Sequence, residues 1–336
     1  MFATVPDLLR LLCVPVLAWA AHRDVRTRRV PARTWTPLFA LAAVLFVWDG
    51  IASYFAGGLT WAYFLVGAAI SLLLVIPAAY GFWRFGAFGG ADAKALIVLA
   101  LLFPTYPTYE IGPYLVPVVA TPTGAFALTI LANTVLVGAC YPLVLAVRNA
   151  LSGRLTALMV VGRPVHWSDA ERTHGRVLED GEGFTRSGLD LDALRMYLRW
   201  RGTTLSALRE DPARFRDPGS LPAEPAPAGD GAIADGGEQT DGLRSPSDLR
   251  PDGGERTNPS RRNEDEWGAE AFLADVGSAY GTTAEGLREG LDVLTTRETV
   301  WISPGIPFLV PILVGLLVAL VYGDVLTGAL RIVGVV

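Results

Sequence analysis

Six long apolar blocks, at about residues 3–21, 35–56, 59–80, 92–110, 118–147 and 305–330, constrain this chain more than any other feature. Roughly 20 mostly apolar residues are needed to cross a hydrocarbon core of about 30 Å, and each block comes close to or exceeds that length. A segment in lipid must satisfy its own main-chain hydrogen bonds, so these blocks are expected to be helices. With 51% hydrophobic residues and a mean hydropathy of +0.37, the chain is too apolar for an ordinary soluble domain. The expected fold class is an all-α membrane protein, a bundle of about six transmembrane helices with a long, partly disordered cytoplasmic insert before the last helix. Residues 1–150 carry the first five spans, 151–300 the insert and 301–336 the final span, the cleanest of the six.

Arginine placement orients the bundle. The loop HRDVRTRRVPAR after the first block holds Arg23, Arg26, Arg28, Arg29 and Arg33, whereas WDGIASYFAGGLT between the second and third holds none. Basic loops stay on the cytoplasmic side, which puts the first loop, Arg84, Lys94 and the insert inside and Glu110 outside. AWAA at 18–21 resembles a signal-peptide cleavage site, but the arginines follow it instead of preceding it. Cys13 and Cys140 have no CxxC spacing and read as small core residues.

The insert changes character along its length. DALRMYLRWR has helical spacing with a basic, aromatic face, suited to a membrane surface or to packing on loops. Residues 216–263 are dominated by Pro, Gly, Asp, Glu and Ser, so burial cannot offset chain entropy and disorder is expected. Short helices are expected near 188–210 and 265–295, the second with Trp267, Phe272, Leu273, Val276 and Tyr280 on one side.

Ionisable residues inside or beside spans carry the chemical signal. Asp7, Asp49 and Asp324 fall near outside-facing ends and need no role beyond reaching water. Asp24 closes span one and Asp92 opens span four, so the topology delivers both to the cytoplasmic side. Paired carboxylates support aspartic-protease chemistry, one member taking a proton from water while the other polarises a carbonyl. A helix N-terminus favours an ionised Asp92 and a C-terminus a protonated Asp24, whereas Arg23 and Arg26 oppose the latter.

These residues carry a resemblance. FGGADAKAL, with Gly89, Gly90, Ala91, Asp92, Ala93 and Lys94, is similar to the glycine-rich aspartate signature of the archaeal preflagellin and prepilin peptidase family. RDVRTRRVP, with Asp24, Arg28, Arg29, Val30 and Pro31, resembles that family's first-aspartate region, and WISPGIPFLVPILVG, with Pro304, Ile306 and Pro307, resembles the archaeal carboxyl-terminal span. The resemblance implies a multi-pass enzyme of the cell membrane, facing the cytoplasm, that removes the basic leader of type IV pilin-like precursors, archaellins included. Asp24 and Asp92 would be its catalytic pair, with Gly89, Gly90 and Lys94 on the substrate side. No cofactor and no metal is implied; the expected partners are pilin-like or archaellin precursors and membrane lipid. The paired CxxC motifs of many bacterial members are absent, which points to the archaeal, protease-only branch.

A basic leader would also find favourable charge at Asp169, Glu171, Glu179 and Asp180. Neither HExxH nor GxxxxGK[ST] occurs, and the acidic insert argues against nucleic acid. Two other classes fit the spans: an ion- or proton-coupled transporter, and a non-enzymatic scaffold for pilus assembly.

Overall fold

Proline, glycine and short polar side chains cut the apolar blocks into the helices that form. A computed structural model describes residues 3–85, 88–179, 183–185, 188–233, 265–305 and 307–334. The chain divides into two units, Met1–Leu143 with Ile306–Val336, and Val144–Gly305. Helix α1 (Val5–Arg10) starts at Thr4, whose hydroxyl accepts the Asp7 N–H at 3.2 Å, with Pro6 in its first turn. After a turn at Leu11–Leu12, α2 runs over Cys13–Thr27. Helix α3 (Thr36–Ala56) stops at Gly57, and α4 (Gly58–Ile70) passes through a π turn at Ser71–Val75 into α5 (Ile76–Arg84). Pro77 lies just past that turn, and its ring cannot sit against a regular i−4 carbonyl.

Helix α6 (Gly90–Leu102) ends before Pro104, since a residue preceding proline is pushed out of helical geometry. The expected span 92–110 therefore stops early, at about 20 Å for its 13 residues. A hairpin follows, β1 (Tyr109–Ile111) and β2 (Tyr114–Val116), with Glu110 opposite Leu115. Pro117, Pro122 and Gly124 then delay α7 to Phe126–Leu151, eight residues past the expected start. Among the described residues, four stretches are long and apolar enough to cross a membrane: Val5–Thr27, Ala32–Ala56, Gly58–Arg84 and Phe126–Leu151. Only 17–33% of their most apolar windows is buried within the protein, and so much exposed apolar surface is stable only against lipid.

The second unit is a mixed fold that periodicity did not reveal. Strands β3 (Arg163–His166) and β4 (Arg176–Val177) flank the later β5 (Thr299–Ser303) in an antiparallel sheet of order β3–β5–β4, with Val165 opposite Val300 and Val177 opposite Ile302. Between them lie α8 (Leu191–Arg201), α9 (Leu205–Glu210), α10 (Pro212–Arg216), α11 (Ala269–Val276) and α12 (Ala284–Thr296). Helix α8, the DALRMYLRWR segment, is no surface helix: all but Arg199 of its residues are buried. It shares one core with Leu287, Leu291, Trp267 and Phe272. Arg201 reaches its partners from inside, donating to the Trp267 carbonyl at 2.5 Å beside the Tyr197 hydroxyl at 2.7 Å. Gly277 ends α11, so Tyr280 falls beyond it and leaves the apolar face on which Trp267 and Phe272 are buried. Residues 216–233, expected to be disordered, hold a helical turn at Pro218–Ser220 and a buried Ala228; residues 234–263 lie outside the described residues.

The last apolar block breaks into α13 (Leu309–Val321) and α14 (Val325–Ile332). Gly323, at φ +101°, crosses so close to Val119 that a Cβ would stand 1.9 Å from its carbonyl oxygen. Asn133 of α7 staples the break, donating to the Gly323 carbonyl at 2.8 Å and accepting the Val325 N–H at 3.2 Å. Asp324, expected to reach water, is buried and caps α14 through the Thr327 N–H at 2.6 Å. Cys13 is a core residue as expected, whereas Cys140 lies on an exposed face of α7.

Candidate active site

Asp24 occupies the last turn of α2 and Asp92 the first turn of α6. The two helices share one apolar core, with Leu17, Ala20 and Ala21 from the first, Leu96 and Leu99 from the second, and Leu309, Ile312 and Leu316 of α13 beside them. Both helices pack on α13, and Asp24 at the end of α2 stands close enough to Asp92 at the start of α6 for the two carboxyl groups to interact electrostatically. Asp92 is buried, and Asp24 is half-buried within reach of the Leu309 main-chain N–H at the start of α13.

Asp92 turns back on its own helix start. Its Oδ2 accepts the Gly89 N–H at 3.0 Å, which positions the carboxylate and satisfies one of the donors a helix start leaves open. A Cβ on Gly89 would lie 2.9 Å from that oxygen, so glycine is what lets the carboxylate settle against the main chain. On Gly90 a Cβ would meet only the Trp83 ring, at 3.4 Å. The two glycines, alike in sequence, therefore differ in consequence. Lys94 follows Asp92 by two positions, about 200° around the helix, and so leaves from another side.

The cation of the site is Arg28. It adopts the left-handed conformation at φ 54°, donates its N–H to the Asp24 carbonyl at 2.9 Å, and acts on both carboxylates. Its Nε is buried without a hydrogen-bond partner. Arg23 instead turns to the Trp19 ring, 5.6 Å away, and to the Arg29 carbonyl at 3.1 Å. The signal for Arg28 was its place four residues after Asp24, masked by four other arginines nearby.

Two of the four acidic residues expected to greet a basic leader are otherwise engaged. Glu179 pairs with Arg297 at 2.6 Å and accepts the Trp301 N–H at 2.8 Å, and Glu171 accepts the Leu205 N–H at 3.0 Å. Asp169 is exposed, and Asp180 lies outside the described residues, as does Ile306 between Pro304 and Pro307. Among the described residues no three His, Cys, Asp or Glu side chains converge as a metal site would need.

At the opposite end of α6, sequence reasoning missed a second charged cluster. Asp7 and Asp49, expected to reach water, both pair with Arg10, which also donates to the Leu102 carbonyl at 2.7 Å. Tyr109 donates its hydroxyl to the Asp7 carbonyl at 3.1 Å and Thr4 its hydroxyl to the Asp7 carboxylate at 2.7 Å. Arg10 and Asp7 are buried, so this cluster ties α1, α3 and α6 together. Four separate elements supply it, β1 through Tyr109 included, which is why no local pattern announced it.

Comparison with known proteins places these features in a family. A search of curated proteins found no match. The model of the type IV leader peptidase family matches residues 11–143, a span that contains both Asp24 and Asp92. A second model, the archaeal type II carboxyl-terminus of A24 peptidases, matches residues 261–325, through α11, α12, β5 and α13. Matched at its amino-terminal helices and again from α11 through α13, the chain belongs to the type IV leader peptidase family, with the carboxyl-terminal region of the archaeal members.

Proposed function

We propose that this membrane peptidase is an aspartic endopeptidase in which Asp24 and Asp92 activate one water molecule between them. The meeting of these two carboxyl groups at one end of the bundle, with Arg28 acting on both, carries the reading. One carboxylate takes a proton as the water oxygen bonds to the scissile carbonyl carbon; the other carboxyl donates its O–H to the carbonyl oxygen. Collapse of the tetrahedral intermediate breaks the C–N bond, and the leaving amine takes up a proton from the pair. Asp92, fixed by the Gly89 N–H, is the less mobile partner.

The substrate class is a type IV pilin-like precursor, archaellin or pilin, with a short basic leader ahead of a hydrophobic helix. Its positive charge suits two acidic groups, and the arginine-rich loop after Asp24 supports a cut at the cytoplasmic face. Gly89 and Gly90 place no side chain between Asp92 and an extended substrate. A transporter would hold its carboxylates near the bilayer midplane on broken helices, whereas these stand at helix ends.

The test uses membranes carrying the full-length protein and a purified precursor. Leader removal is expected at a single bond, seen as one mass loss in the product. It should fall sharply when the leader Lys and Arg residues are changed to Glu. A precursor left intact under conditions where the protein is folded and inserted would overturn the proposal.

A further inference from the structure

Four arginines of the second unit converge on one cleft without carboxylate partners. The cleft, about 410 Å³, is lined by Arg148, Arg154, Arg163, Arg172, His166 and Asp169. The other described arginines of this unit are each matched to a carboxylate, a main-chain carbonyl or an aromatic ring: Arg176 to Asp190, Arg199 to the Ala232 carbonyl, Arg214 to Phe215, Arg216 to Asp292, Arg288 to Asp265, Arg297 to Glu179. None of the four in the cleft has such a partner among the described residues, and Arg163 buries its Nε with no hydrogen-bond acceptor. His166 is occupied by Glu298 at 3.3 Å and Ser168 at 2.8 Å. Four cations thus face one carboxylate, Asp169.

The fold builds this cluster deliberately into one place. Asn149, buried in the last turn of α7, donates to the Met159 and Gly162 carbonyls, each at 2.9 Å, while its own carbonyl accepts the Arg154 N–H at 2.9 Å. These bonds fold the chain after α7 back on the helix end, so that Arg154 and the first residue of β3, Arg163, come beside Arg148. The carbonyl end of α7 opposes an anion with about half a charge, which the whole charges of Arg148 and Arg154 outweigh. Guanidinium groups grouped this way match the oxygens of a phosphate, which they bind through paired N–H donors.

Apolar surface next to the cleft says where the phosphate comes from. Leu151 and Leu155 are 85% and 74% exposed, and Val147, Val160 and Val161 are exposed beside them. These residues close the membrane-spanning stretch Phe126–Leu151 and start the loop that carries Arg154. Exposed leucine and valine next to unpaired arginine is the pattern of a surface that enters the headgroup layer of an anionic membrane. We propose that the cleft binds the phosphate of an anionic lipid headgroup at the end of α7.

The full-length protein in a neutral detergent, offered equal amounts of phosphatidylglycerol and phosphatidylcholine, provides the test by native mass spectrometry. Wild type is expected to retain phosphatidylglycerol in preference, and the triple variant Arg154→Gln, Arg163→Gln, Arg172→Gln to retain it roughly tenfold less. Arg154→Gln alone, on an exposed residue, should weaken retention while leaving the thermal midpoint unchanged, which separates lipid binding from folding. The matching Arg→Lys triple keeps the charge but loses the paired donors and should fall between. Equal retention by wild type and the Gln triple overturns the proposal. Inorganic phosphate that binds wild type, with no preference between the two lipids, overturns the lipid as its source.

Discussion

Removing the Arg10 side chain should be among the most damaging single changes in the amino-terminal unit. Arg10→Met keeps length and apolar contact but leaves Asp7 and Asp49 facing each other and the Leu102 carbonyl without its donor. The side chains involved are 6%, 9% and 15% exposed for Arg10, Asp7 and Asp49, so water screens the loss very little. Breaking a buried pair by deleting one partner costs about 3–5 kcal/mol, and an orphaned carbonyl adds about 1–3 kcal/mol within or beyond that figure. A loss of at least 3 kcal/mol is therefore expected, on the order of a hundredfold or more in the folded-to-unfolded ratio. Adding Asp7→Asn and Asp49→Asn should recover much of it, because the uncompensated charges then disappear. Reversible unfolding in mixed micelles, followed by circular dichroism, measures all three proteins. An Arg10→Met cost below about 1 kcal/mol, in the range of a surface pair, or a triple variant less stable than Arg10→Met, refutes the reasoning.

Other expectations follow from single contacts. Gly89→Ala forces the Asp92 carboxylate off a bond it makes at 3.0 Å and should slow leader cleavage roughly 10²-fold with little change in unfolding; Gly90→Ala should stay within a few-fold of wild type. Asn133→Leu strips both partners from the break at Gly323 and should cost about 1–3 kcal/mol in the same micelle titration. Burial pushes the Tyr197 hydroxyl up to about 12 from the ordinary 10, with Arg201 beside it pulling the other way. Because the folded value is the higher one, the stability this hydroxyl contributes is complete below pH 10 and is lost as pH rises toward 12. Tyr197→Phe should therefore show a smaller loss of stability across that interval than wild type, measured by urea unfolding at fixed pH.

Blocks of 20 apolar residues announce themselves, and the spans at Val5–Thr27, Ala32–Ala56, Gly58–Arg84 and Phe126–Leu151 were legible for that reason. Their ends were less so, because Pro104, Pro117 and Pro122 stop or delay helices inside stretches whose hydropathy stays high. Gly323 breaks the last block through a main-chain crossing with Val119, a contact two hundred residues apart in sequence and invisible locally. Asp24 and Asp92 could be singled out because the apolar pattern puts each at the end of an expected span, on the same expected side. Arg28 could not be told from Arg23 or Arg26 until its left-handed backbone was seen. In the second unit, basic residues hid a core helix: Arg195 and Arg201 of α8 are buried because carbonyl, hydroxyl and carboxylate partners await them.

The central claim is that two carboxyl groups act as one device. Rates of precursor cleavage by Asp24→Asn, Asp92→Asn and the double variant, each checked for folding and insertion, test it most directly. Groups that work as a unit are lost as a unit, so all three proteins should fall to the same residual rate. Losses that multiply in the double variant, or either single variant cleaving as fast as wild type, would contradict the account.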